Sequence, residues 1–224
     1  MKITGAIFDM DGTLVDSLGF WDILWENLGE MYLNDRSFRP DPVTEKAVRT
    51  STLYEASAII HQNCKIGENK DALFGVVDGM LKKHYEETVE MKKGAVEFLE
   101  YLYKKGVKMC VATATAPHLL GVLMDKFGLE KYFPAVFSCN DVGHGKDSPE
   151  VFLAAYEWLG GEMESTYVFE DSVVAVETAV KAGFKTVGVY DKYGFSEDKI
   201  KALSEFFIGK NEALSDLIDN PSLF

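Results

Sequence analysis

Cysteine is scarce in this chain of 224 residues: Cys64, Cys110 and Cys139 are all it has, and no two of them form a CxxC pair. That excludes a disulfide framework and the common thiolate metal and redox motifs, leaving buried or indifferent thiols in a reducing compartment. Positive charge is also short. Lys and Arg number 23 against 36 Asp and Glu, a net charge of −13. The basic stripe that holds a nucleic acid is therefore missing, and no nucleic acid partner is expected. A small phosphorylated metabolite is still admissible, because the local field of a site can oppose the global sign. Long apolar runs are absent as well. No stretch approaches the ~20 residues that cross a bilayer. The N-terminal apolar run is broken by Asp9 and Asp11, too early for a secretory signal. No membrane partner and a cytoplasmic location are expected, with a monomer as the default. There is no internal repeat and no low-complexity tract.

What is present is a core. Hydrophobic residues make up 47% of the chain, and the length suits one domain, or one domain carrying a smaller insertion. Short apolar runs read as strands over 3–8, 107–112, 135–138, 166–169 and 186–189, with 206–208 as an edge strand. Helical patterns lie between them at 94–105, 117–127, 149–159 and 173–182, and a last helix is expected over 211–218. Gly106, Gly128, Gly160 and Gly183 each follow a helical run, where a C-terminal cap belongs. This alternation predicts an α/β fold: a Rossmann-like parallel sheet with helices on both faces. One block breaks it. Helical patterns at 20–31, 44–49, 53–63 and 69–87, with a loop over 34–42, predict an inserted α-helical cap domain. The expected division is a catalytic core of 1–16 and 92–224 and a cap of 17–91.

Open parallel sheets bind ligands at the carboxyl ends of their strands. Asp9 and Asp11 stand at the end of the first strand, with Gly12 permitting a tight turn. Two carboxylates so close repel each other, and a hard cation such as magnesium removes that penalty. Asp9 can then act as a nucleophile on phosphorus, and Asp11 as the acid and base for leaving group and water. A solvated acidic turn is the bland alternative. After the second strand, Thr113 offers a hydroxyl to a phosphoryl oxygen ahead of a helix starting at Pro117, although Thr115 suits the helix cap better. After the third, Lys146 is placed to neutralise phosphate. After the fourth, Glu170 and Asp171 form a second acidic pair, with Asp171 or Ser172 as helix cap.

The order acid pair, hydroxyl, lysine, acid pair resembles the haloacid dehalogenase superfamily, in the branch with a small helical cap after the first strand. The run Phe8-Asp9-Met10-Asp11-Gly12-Thr13-Leu14-Val15-Asp16-Ser17 carries the first motif, Thr113 the second, Lys146 the third and Glu170-Asp171-Ser172 the fourth. The resemblance spans nearly the whole chain. It implies Asp9 as nucleophile and magnesium ligand, Asp11 as acid/base with its carbonyl on the metal, and Asp171 as the last protein ligand. Glu170 would bind magnesium directly or through water, and Thr113 and Lys146 would stabilise the phosphoryl group. The dehalogenases that name the superfamily lack the second acid, so Asp11 implies phosphoryl transfer. Two positions depart from the pattern. Asp147 follows the lysine where proline is usual, and Ala175 is the nearest small residue where a glycine usually follows the fourth motif.

The expectation is a magnesium-dependent phosphatase acting on a small phosphomonoester through an aspartyl-phosphate. A phosphomutase resembling beta-phosphoglucomutase is the alternative. Against it, no histidine stands in the run Leu18-Gly19-Phe20-Trp21-Asp22, where those mutases carry one. A non-enzymatic phospho-acceptor similar to a receiver is a second alternative, but receivers have no helical insertion. Substrate specificity is assigned to Arg49, Thr50, Trp21 and His118. For Arg49 an exposed helix arginine, for Trp21 apolar packing with Trp25, and for His118 a solvated loop residue are the plainer readings. Hinges are expected at 15–17 and 90–94, so that cap closure excludes bulk water.

Overall fold

The computed structural model of the protein describes residues 2–224. Its chain divides into two compact units, Met1–Asp16 with Val89–Phe224, and Ser17–Thr88.

The first unit is built on a parallel sheet of β1 (Gly5–Phe8), β2 (Lys108–Thr113), β3 (Val136–Ser138), β4 (Thr166–Glu170), β5 (Lys185–Val189) and β6 (Phe206–Ile208). Their order is β3-β2-β1-β4-β5-β6. β1 therefore lies between β2 and β4, and the order reverses there, so the crevice beyond its carboxyl end is the binding position of such sheets. The central strands are apolar because both faces are covered: every residue of β1 and β4 is buried. Pleating sends neighbouring residues to opposite faces. Ile7 joins Cys110, Ala112, Val168, Val151, Phe152 and Ala175 in one core. Phe8 stacks on Phe169 at 4.2 Å and meets Phe98 and Phe133 edge-on on the other face. Ala175, in the place of the usual glycine, is fully buried in that first core, so one methyl group is accommodated there.

The helical unit holds α1 (Phe20–Leu28), α2 (Pro42–Arg49), α3 (Leu53–Cys64) and α4 (Lys70–Glu87). Its own core gathers Phe20, Leu24, Trp25, Val48, Ala56, Ile60, Leu73 and Val77. Covering the sheet are α5 (Ala95–Lys104), α6 (Pro117–Phe127), the short α7 (Cys139–Val142), α8 (Glu150–Leu159), α9 (Val173–Lys181) and α10 (Glu197–Leu203). Gly106, Gly128, Gly160 and Gly183 all have positive φ, the conformation that ends a helix.

Several boundaries differ from the sequence reading, each for a local reason. The helix expected to Met31 stops at Leu28 and continues as a widened π turn over Gly29–Leu33. A β-carbon on Gly29 would lie 2.2 Å from the carbonyl oxygen of Asp35, so the following loop folds back onto the helix there. α2 starts at Pro42 because Asp41 accepts from the amides of Val43 and Thr44 at 3.0 Å, a cap with proline in the first turn. The last helix is a 3₁₀ segment, Leu214–Asp219, held to the sheet unit where Leu214 N donates to Lys93 O at 2.9 Å. α10 was not anticipated; Ile200 is its buried residue, too weak a periodic signal to read. Residues 89–91 belong with the sheet, because Asp16 N donates to Glu90 O at 2.9 Å and Val15 bridges Met91. Among the described residues no helix is long and apolar enough to cross a membrane.

Candidate active site

The end of β1 delivers Asp9 into the crevice at the reversal of strand order. Its backbone amide donates to Phe169 O at 3.0 Å, which locks the position to β4. The end of β4 delivers Glu170 and Asp171. Asp9, Glu170 and Asp171 are all buried, and each offers an oxygen within 4.8 Å of the others. Lys146 reaches in from the loop before α8. Its Nζ donates to Asp9 Oδ1 and to Glu170 Oε1 at 2.5 Å. Its side chain is only 11% exposed, which for a lysine means that the carboxylates hold it there.

Three buried carboxylates face one ammonium, and the electrostatics show the excess. The Asp9 carboxyl is pushed up to about 8, chiefly by burial; Lys146 acts against the rise, and the charges of Glu170 and Asp11 add to it. Burial likewise raises Asp171, with Glu170, Asp9 and Asp191 adding to it. Burial would lower Lys146, but the Asp9 and Glu170 carboxylates win and hold it well above the ordinary lysine value. Such a set is short of positive charge and made of hard oxygen donors, which suits a divalent cation of the magnesium type. The donors present therefore fit the ion that the sequence reading expected.

The surrounding bonds orient each donor. Thr13, fully buried, donates its hydroxyl to Asp171 Oδ1 at 2.9 Å. Glu170 Oε2 accepts from Ser172 N at 2.9 Å. Ser172 occupies the cap position of α9, but it is its backbone amide that is used, on Glu170. Gly12 has φ +83, and a β-carbon there would stand 2.5 Å from Asp171 Oδ2, so the turn after β1 admits only glycine. Sequence reasoning assigned Gly12 to the turn but missed Thr13 as a partner of Asp171.

Asp11 is half-buried on the turn after β1, and its Oδ2 accepts from the Thr115 hydroxyl at 2.5 Å. Thr113 is buried at the end of β2, and its hydroxyl oxygen accepts from Thr115 N at 3.1 Å. Thr115 is not the helix cap: that position belongs to Ala116. Asp147 is exposed, so its extra charge faces solvent, which screens it. His118 and His144 are exposed as well.

The remaining specificity candidates lie in the helical unit. The Arg49 guanidinium donates to Glu45 at 2.8 Å and Asp22 at 3.3 Å, and its side chain is 9% exposed; it is paired rather than solvated. Thr50 is exposed and donates its hydroxyl to Lys46 O at 2.9 Å. Trp21 is half-buried and meets Phe20 edge-on, whereas Trp25 is fully buried in that unit's core.

A buried pair near the site escaped the sequence reading. Asp191, in the loop after β5, takes Lys92 Nζ on Oδ2 at 2.5 Å and Tyr193 N on Oδ1 at 2.8 Å. A cavity of about 160 Å³ beside it is lined by Asp171, Asp191, Tyr190, Lys192 and Phe195 among others. The partners are 99 residues apart, so no local signal announces them.

Comparison with known proteins follows the same outline. The sequence pattern of the haloacid dehalogenase-like hydrolases matches residues 6–189. A phosphorylated carbohydrates phosphatase of Thermotoga maritima is 29% identical over 186 residues, covering 81% of this chain and 82% of its own. A phosphoglycolate phosphatase of Aquifex aeolicus is 29% identical over 221 residues, 96% of each chain. The crystal structure of CbbY from Rhodobacter sphaeroides in complex with phosphate superposes with a TM-score of 0.79 at 19% identity, over 96% of each chain, and shares the fold.

Proposed function

This chain belongs to the haloacid dehalogenase-like hydrolase family, and on that premise we propose that it is a magnesium-dependent phosphatase that hydrolyses a small phosphomonoester through an aspartyl-phosphate on Asp9. The observation that carries the proposal is the bridge made by Lys146 between Asp9 and Glu170. It gathers the ends of β1 and β4 and the loop before α8 around one point where a phosphoryl group would be held by charge.

Magnesium, held by Asp9, Asp171, the Asp11 carbonyl and Glu170 directly or through water, would supply the positive charge that offsets the clustered carboxylates and draws charge from the phosphoryl oxygens. The chain's own residues do the rest. Asp9 attacks phosphorus as the bond to the leaving oxygen breaks. Asp11 gives that oxygen a proton, then takes one from the water that attacks the aspartyl-phosphate and returns Asp9 to a carboxylate. Lys146 and the Thr113 hydroxyl would steady the phosphoryl oxygens in both halves. Selectivity is proposed to rest on Arg49, Thr50, Trp21 and His118. Arg49 would have to exchange Glu45 or Asp22 for substrate, so Arg49→Ala should shift KM across a panel of esters more than kcat.

The test is phosphate release from an aryl phosphate and a broad panel of alkyl phosphomonoesters, with magnesium and with chelator. Turnover that needs magnesium and vanishes in Asp9→Asn supports the reading. No turnover across the panel, or full activity in Asp9→Asn, overturns it.

A further inference from the structure

Thr115 sits where the chain leaves β2, and the sequence suggested no more for it than a helix cap. Each of its polar groups is engaged. Its hydroxyl donates to Asp11 Oδ2 at 2.5 Å. Its amide donates to Thr113 Oγ1 at 3.1 Å. Its carbonyl accepts from the fully buried Ser138, the last residue of β3, at 3.3 Å. The carboxyl ends of β1, β2 and β3 thus meet at one half-buried threonine. The helix that follows is capped at Ala116, so the Thr115 hydroxyl is not spent on backbone amides.

We propose that Thr115 is a positioning residue for proton transfer by Asp11, and that it determines how well the enzyme cleaves esters with poor, alkyl leaving groups. This rests on the reading of Asp11 as the acid and base. A hydroxyl has one proton to donate, and here it goes to Oδ2. In the first half-reaction the Asp11 carboxyl gives its proton to the leaving oxygen as the phosphorus–oxygen bond breaks. The electron pair of that bond stays on the leaving oxygen, and the new bond to phosphorus comes from Asp9. In the second half, water gives its proton to the Asp11 carboxylate while its oxygen bonds phosphorus and the pair returns to Asp9. The same bond holds the carboxyl plane through both transfers. By taking the Thr115 amide on its oxygen, Thr113 is left with its own O–H to donate elsewhere.

Leaving groups separate positioning from bulk structure. An aryloxide with a low pKa departs with little protonation, whereas an alkoxide needs the proton in the transition state. The experiment measures kcat/KM for p-nitrophenyl phosphate and for an alkyl phosphomonoester, in the unaltered protein, Thr115→Val, Thr115→Ser and Asp11→Asn. Thr115→Val should lower the alkyl ester by roughly 10- to 100-fold, a part of the full acid–base contribution, and the aryl ester by no more than about 3-fold. Thr115→Ser should restore the ratio of the two. Should the valine variant melt early, Thr115→Ala read on the same two esters replaces it. Equal losses on both esters, or no rescue by serine, overturn the proposal. A leaving-group effect in Asp11→Asn but none in Thr115→Val removes Thr115 alone. The absence of that effect in Asp11→Asn removes the reading of Asp11 on which the proposal stands. An unaltered protein that cleaves neither ester removes the phosphatase reading with it.

Discussion

A β-carbon on Gly12 would stand 2.5 Å from Oδ2 of Asp171, residues that belong to neighbouring strand ends, and Gly12 turns there with φ +83. The turn after β1 thus passes against the carboxylate that ends β4, with no room for a methyl group between them. Gly12→Ala should displace Asp171 and add the left-handed backbone cost of about 1–2 kcal/mol. Thermal melting should fall modestly, while phosphate release should fall by at least roughly 10-fold and require more magnesium, because Asp171 is the proposed ligand that the methyl group would move. A variant with normal magnesium dependence would show that the turn has room to relax.

Thr13 is the partner that aims Asp171, by its hydroxyl bond at 2.9 Å to Oδ1. Thr13→Val keeps the shape and removes the donor. Loss of a partner of this kind weakens a metal site by about 10- to 100-fold. The concentration of magnesium giving half-maximal activity should rise accordingly, with Thr13→Ser close to the unaltered protein. A titration of activity against magnesium reads the difference.

Lys92 and Asp191 form a buried ion pair, with side chains 16% and 0% exposed. Removing the cation leaves a buried carboxylate unpaired. Lys92→Met should therefore destabilise the fold by about 3 kcal/mol or more. The double variant Lys92→Met, Asp191→Asn should recover much of the loss, since asparagine can still accept from Tyr193 N. Denaturant unfolding of the three variants checks it, and an undiminished loss in the double variant would place the cost in Lys92 packing instead.

Cys110 is fully buried in β2, and burial pushes its thiol up to about 12. In the unfolded chain a thiol ionises near ~8.5. Below that value both states are protonated and the stability is complete. As pH rises from there towards 12, the unfolded chain ionises and the folded one does not, so stability falls by roughly 1.4 kcal/mol per pH unit. Cys110→Ala should show a shallower decline of melting temperature between about pH 9 and 11. Parallel declines would mean that other groups govern the alkaline limb.

How far the sequence alone reached depended on the range of the physics. Apolar runs with turns between them marked the strands, and β6 lies at Phe206–Ile208 as its short apolar run suggested. Gly106, Gly128, Gly160 and Gly183 marked helix ends, because positive φ is a demand made by a single residue on its own backbone. The acids at the ends of the first and fourth strands were visible for the same reason: strand period and strand end are properties of a few neighbouring residues. What the tertiary structure decided is who meets whom. Thr115 read as a helix cap because capping is local, yet its hydroxyl goes to Asp11, 104 residues away. Lys92 and Asp191 were unremarkable in the chain and are a buried pair in the fold. These choices follow from the order β3-β2-β1-β4-β5-β6, which sets Thr115 beside the turn after β1 and Asp171 beside Gly12. Pairing between strands so far apart in sequence is a global outcome, and a hydrogen bond a few ångströms long has no partner until that pairing is made.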